Sequence, residues 1–164
     1  MRKQISQYSL KKSTEHLLYE VSTFYQTIIF LKNAKNQIEV NILLDDFAIH
    51  ARNLFDFFYP KKPNLIKDDD MLVTDFLINQ KIFNRNKTNK NKLSFITEKA
   101  NKQVAHLTYK RNRYSKKTKS WPYIIIGREI NKTLQAFYDS LSINQKKWKN
   151  IIDLKNHIEE LSKI

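Results

Sequence analysis

The chain has no cysteine, one glycine and three prolines among its 164 residues. Without cysteine there is no disulfide, no thiolate zinc site and no cysteine nucleophile, and the chain suits a reducing cytoplasm. With Gly127 as its sole glycine it has no Gly-rich phosphate loop. Zinc-ligand spacing is absent, as is any Ser/His/Asp pattern whose partners a sequence can assemble. No apolar run approaches the ~20 residues of a membrane span. The opening Met1-Arg2-Lys3-Gln4-Ile5-Ser6 has no apolar stretch behind its charges. A soluble cytoplasmic protein with no membrane partner is therefore expected. One further scarcity is local: between residues 81 and 119 the only carboxylate is Glu98, against thirteen Lys or Arg.

That stretch holds most of the formal net charge of +14. Such a field attracts a polyanion such as RNA or DNA, because neutralising phosphates releases condensed counterions. A lysine-rich composition of the kind an AT-biased genome produces would give a merely solvated basic face. It would not explain why fifteen of the sixteen carboxylates lie outside these 39 positions.

Hydrophobic residues make up 41% of the chain, enough for one core in one domain spanning residues 1–164. Their spacing is of three and four rather than two, which predicts helices and no strand. Leu17, Val21, Phe24, Ile28 and Leu31 stripe a first helix over 9–33. Val40, Leu43, Leu44, Phe47, Ala51, Leu54 and Phe58 give a second, over 36–59, a wide face ended by Pro60. Asp68-Asp69-Asp70 reads as the cap and acidic first turn of a short third helix, in preference to a metal site. Residues 84–91 read as an exposed loop, and 92–110 as a fourth helix. Trp121-Pro122 opens a fifth, and a last helix covers 144–161 with Trp148, Ile151 or Ile152, Leu154, Ile158 and Leu161 inward. The expected fold is all-α, an antiparallel bundle of four main helices plus one or two shorter ones.

Chemistry concentrates in the fourth helix. His106 points about 120° or more away from most of the stripe made by Leu93, Ile96, Ala100, Val104 and Leu107. Lys102 lies one turn before it, Tyr109 three residues after it, and Arg113 joins them if the helix continues. An imidazole titrating near neutrality moves protons at a ribose hydroxyl, and cations stabilise charge growing on a phosphorane. Arg111 continues the apolar register, where it either pairs with Asp75 or Asp56 or turns to a phosphate. On the second helix His50 keeps the apolar register while Arg52 projects about 200° away, so the two should not share one pocket within a subunit. A polar core residue or a second site are the readings for His50. Arg52 has Asp56 as an i+4 partner or else serves a phosphate. Lys102, Lys110, Arg113, Lys116, Lys117 and Lys119 are the candidates for holding an RNA backbone, with Tyr109, Tyr114 and Trp121 as stacking groups.

The peptide Asn101-Lys102-Gln103-Val104-Ala105-His106, late in a bundle helix, resembles the motif of HEPN proteins. That helical superfamily includes ribonucleases of toxin-antitoxin and phage-defence systems. Asn101, Lys102, Ala105 and His106 fit the pattern, while Ala100 stands where the family has arginine. The resemblance implies a homodimer whose paired motifs form a metal-independent endoribonuclease site, with no cofactor. It gives His106 a catalytic role and Asn101 an assisting one, with Arg52, Arg111 or Lys102 in place of the missing arginine. A second expectation, from the same basic face, is a non-catalytic protein that binds an acidic partner such as an antitoxin.

Overall fold

The computed structural model describes residues 5–105, 109 and 120–163. Among them six helices pack against one another and no strand occurs: α1 Gln7–Asn33, α2 Gln37–Phe58, α3 Gln80–Asn86, α4 Phe95–Ala100, α5 Tyr123–Asp139 and α6 Lys149–Leu161. Four are long and two short, as the periodicity predicts. None is long and apolar enough to cross a membrane.

Local chemistry sets the helix starts. The Ser6 hydroxyl accepts the Ser9 N–H at 3.1 Å, and Asn36 Oδ1 accepts the N–H groups of Ile38 and Glu39 at 3.0 Å. These satisfy donors that a first helical turn otherwise leaves unpaired. Three residues link α1 to α2, so the two fold back antiparallel: Glu20 faces His50, Phe24 stacks on Phe47 at 5.2 Å and Thr27 donates to Asp46. The α5–α6 pair is a second antiparallel hairpin, joined where Asn131 Nδ2 donates to the Ile158 carbonyl at 3.1 Å. The hairpins dock with α1 beside α6 and α2 beside α5 in the same sense. Thr14 meets Asn150 and Ser22 meets His157, while Tyr123 packs on Phe47 and Phe137 on Phe58.

The core is aromatic at one end. Phe57, Phe58, Phe76, Phe83 and Phe137 are buried, with ring centroids between 4.9 and 6.2 Å apart and mostly edge-to-face. Each such ring contributes roughly 1.5–3 kcal/mol by leaving water. Gly127 sits where α5 comes closest to α1: a Cβ there would lie 2.8 Å from Ile28 Cδ1. In α6 the core takes Ile151 and leaves Ile152 exposed. Trp121 is buried, which removes it from the exposed stacking groups.

Four features differ from the sequence reading. The Asp68-Asp69-Asp70 run caps no α-helix; Asp70 Oδ2 accepts the Lys67 N–H, and Asp75 caps a single 3₁₀ turn at Val73–Asp75. The third helix starts later, at Gln80, because the Asn79 side chain accepts from Lys81 and Ile82 and makes a new N-terminus there. Residues 84–91 are not an exposed loop throughout, since Asn84 to Asn86 complete α3 and Thr88 is buried. Thr88 Oγ1 donates to Glu129, its N–H to Thr133 Oγ1, and its carbonyl accepts from the Tyr59 hydroxyl at 2.7 Å. The fourth helix is short: α4 ends at Ala100 and the chain continues as a π-helical turn, Asn101–Ala105.

Candidate functional site

The π turn falls on the peptide that sequence singled out. A π turn carries more residues per turn than an α-helix and occurs often at functional sites. Projection at 100° per residue therefore does not hold over Asn101–Ala105. His106, Lys110, Arg111, Arg113, Tyr114, Lys116, Lys117 and Lys119 lie outside the described residues. Tyr109 is described and is 94% exposed.

Helix α4 runs antiparallel to α2. Thr97 Oγ1 donates to Asp56 Oδ1 at 3.3 Å, and one turn along Arg52 Nη1 donates to Asn101 Oδ1 at 3.0 Å. Arg52 and Asn101, 49 positions apart in the chain, thus meet at the first residue of the π turn. The expected i, i+4 ion pair of Arg52 with Asp56 does not form. Asp56 Oδ2 instead lies 3.6 Å from Lys61 Nζ, and the second arm of the guanidinium, Nη2, reaches Asn53 Oδ1 at 3.5 Å.

Asn53 carries the contact inward. Its amide donates to both oxygens of Glu20 at 3.2 Å, and Glu20 Oε2 lies 2.7 Å from His50 Nδ1. The other imidazole nitrogen, Nε2, is 3.4 Å from Asp46 Oδ1. A continuous polar chain therefore runs Asp46, His50, Glu20, Asn53, Arg52, Asn101, from the α1–α2 interface to the π turn. His50 and Arg52 do not touch, as their angular separation requires, yet they occupy one network through Glu20 and Asn53. His50 is 5% exposed and packs edge-on against Tyr19 at 5.6 Å. The hydrogen bond that the His50 ring donates to Glu20 holds its pKa above the ordinary imidazole value; burial opposes this, and the charges of Glu20 and Asp46 add to it. Two carboxylates, one at each ring nitrogen, thus favour the charged form of the imidazole. Arg52 is oriented at the rim of this network by two amide oxygens, Asn101 Oδ1 and Asn53 Oδ1.

Sequence reasoning named Arg52, Asn101 and His50 but passed over Glu20 and Asn53. A signal for Glu20 was present. It stands three residues after Leu17 and four before Phe24, at the edge of the buried stripe, where a carboxylate needs a partner. Asn53 carries no comparable mark.

The basic stretch is divided in its commitments. Lys92 Nζ pairs with Glu129 at 2.8 Å, a contact that lowers the Glu129 pKa. Lys87 lies over Tyr59 and Phe83, and Lys99 lies 4.9 Å over Trp121 while donating to the Ser120 carbonyl. Burial lowers the pKa of both lysines. Lys81, Arg85 and Lys90 are exposed, and Lys102 is half-buried. Among the described residues no group of three or more His, Asp or Glu is arranged to hold a metal ion; the Glu20 and Asp46 carboxylates approach opposite nitrogens of His50.

No family model, no curated protein and no solved structure matches the chain.

Proposed function

We propose that the protein binds RNA through its basic segment and cleaves it without a metal, in a HEPN-like manner, at a site formed by Arg52, Asn101 and His106. The observation that carries this reading is the Arg52–Asn101 hydrogen bond. The motif peptide lacks its arginine at position 100, and a guanidinium from α2 meets that peptide instead.

The chemistry is transesterification. The His106 imidazole accepts the 2′-hydroxyl proton as O2′ bonds to the adjacent phosphorus. The P–O5′ bond breaks, water protonates the departing oxygen, and a 2′,3′-cyclic phosphate remains. Negative charge grows on the non-bridging oxygens during the step. A guanidinium whose orientation is fixed beforehand stabilises that charge without reorganising. Asn101 and Asn53 supply the fixing, and the exposed Lys81, Arg85 and Lys90 supply the salt-dependent hold on the backbone. Two copies related by a two-fold axis would bring two motif peptides together, so a homodimer is part of the proposal. Defence against phage, or a toxin paired with an antitoxin, is the biological setting that the resemblance implies.

The test incubates labelled single-stranded RNA and transfer RNA with wild type and His106→Ala in a metal chelator, following binding and cleavage together. Cleavage to a cyclic phosphate end that His106→Ala abolishes while keeping affinity is the expected result. Binding without cleavage by wild type would leave a binding protein only. Failure of both would turn attention to an acidic protein partner.

A further inference from the structure

A cavity of about 290 Å³ opens beside the polar chain, between α1, α2 and the segment 66–72. Leu54, Phe57 and Met71 line its apolar side; Glu20, Asn53 and Asp56 line the polar one. The phosphate chemistry above uses neither this space nor Asp56. We propose that the cavity receives one unpaired base of the RNA and selects guanine, an inference that rests on the RNA binding proposed above.

Size excludes most alternatives. Ligand pockets begin at roughly 300 Å³, so the space suits one planar ring system and not a whole nucleotide. The lining charge agrees, because the carboxylates of Glu20, Asp56 and Asp70 outnumber the one ammonium, Lys61, which pairs with Asp56, and so leave the phosphate outside; His16 also lines the cavity. Ile66 and Met71, the half-buried apolar residues of the lining, offer a surface against which an unstacked base can lie, as in single-stranded RNA recognition. The adjoining phosphate then falls on the Arg52 side, because Asn53, a wall of the cavity, is 3.5 Å from the Arg52 guanidinium.

Selectivity follows from the donor and acceptor inventory. The side chains of Glu20 and Asp56 remain 23% and 32% exposed, so both carboxylates reach the opening. An ionised carboxylate only accepts, and it offers about four lone-pair sites. Glu20 spends some on His50 and Asn53, and Asp56 some on Thr97 and Lys61, which leaves capacity on each. Among the four bases guanine alone presents two adjacent N–H donors, N1 and N2, on its pairing edge. Adenine and cytosine present one amine beside an acceptor, and uracil one N–H between two carbonyls, which a carboxylate rim disfavours.

Met71 makes the test direct, since the chain has only Met1 and Met71. Protein labelled with ¹³C-methyl methionine gives two resonances, and Met71→Leu assigns the one in the cavity. Guanosine, inosine, adenosine, cytidine and uridine are titrated separately, with spermidine as a cationic control. The expected result is a saturable shift of the Met71 resonance by guanosine, at least about tenfold tighter than uridine. Inosine, which lacks the N2 amine, and the Asp56→Asn variant should each weaken it by about tenfold, the effect of losing one charge-assisted hydrogen bond. Lys61→Ala should keep the preference. A silent Met71, equal shifts from all nucleosides, or a response to spermidine alone overturns the base pocket. RNA retention at low salt, measured on the same samples, separates the two readings. RNA binding with Met71 silent removes the pocket only; a guanosine response without RNA binding keeps the pocket and removes the ribonuclease.

Discussion

Replacing Glu20 should destabilise the protein by an amount that depends on pH in a defined direction. Glu20 makes one short contact to His50 at 2.7 Å and two to Asn53 at 3.2 Å. A hydrogen bond to a charged group is worth roughly 1.5–3 kcal/mol, and a weaker or shared one about 1 kcal/mol. Partial exposure of Glu20 places its value in the lower part of that range. Glu20→Ala should therefore cost about 3 kcal/mol near pH ~5.5. Because the folded-state pKa of His50 is raised, its contribution is fully present below the unfolded imidazole value of about 6.5 and is lost as pH rises through the folded value. At about pH 9 only the Asn53 contacts and a neutral imidazole hydrogen bond remain, and the cost should fall to about 1–1.5 kcal/mol. Glu20→Gln removes the charge and keeps one of the two acceptor oxygens, so it should cost less than Glu20→Ala at high pH and most of its cost should lie at low pH. Urea unfolding followed by the fluorescence of Trp121 and Trp148 measures each difference. For a chain of this length, ~3 kcal/mol corresponds to a fall in Tm of roughly 6–12 °C. A cost that is flat with pH, or that grows as pH rises, would refute the raised pKa of His50.

Other consequences are independent of that charge. Phe47→Ala removes a fully buried ring stacked on Phe24 and should cost about 3–5 kcal/mol in the same unfolding assay. Thr88→Val leaves the Tyr59–Thr133–Glu129 cluster without its central hydroxyl; a loss of about 1–3 kcal/mol is expected, and a neutral result would mean that water replaces it. A double-mutant cycle of Arg52→Ala and Asn101→Ala in thermal unfolding should give a coupling of about 0.5–1.5 kcal/mol, whereas additive losses would mean that the contact contributes nothing. RNA affinity should fall linearly in logarithm with the logarithm of salt concentration; indifference to salt would remove the basic segment from binding.

The long helices were legible because each carries five or more apolar residues in one stripe, and a long stripe outweighs uncertainty at its ends. Helices α3 and α4, of seven and six residues, were misplaced because their limits depend on local chemistry and tertiary contact. Asn79 rather than Asp68 to Asp70 made the cap, and Thr88 was drawn inward by partners on α5, 41 and 45 positions away. The turn from α to π geometry at Asn101 leaves no mark in hydrophobic periodicity, so it could not be read from the sequence. Arg52 and Asn101 were each named from the sequence for their chemistry. Their meeting could not be read there, since it depends on α2 and α4 packing antiparallel.

The central claim is that Arg52 takes the place of the arginine missing from the motif peptide. Its most direct test is the single-turnover rate of RNA cleavage by Arg52→Ala in a metal chelator, with affinity measured alongside. The account predicts a rate lowered by about 10²-fold or more with affinity changed only slightly. A rate equal to wild type at full occupancy would contradict it.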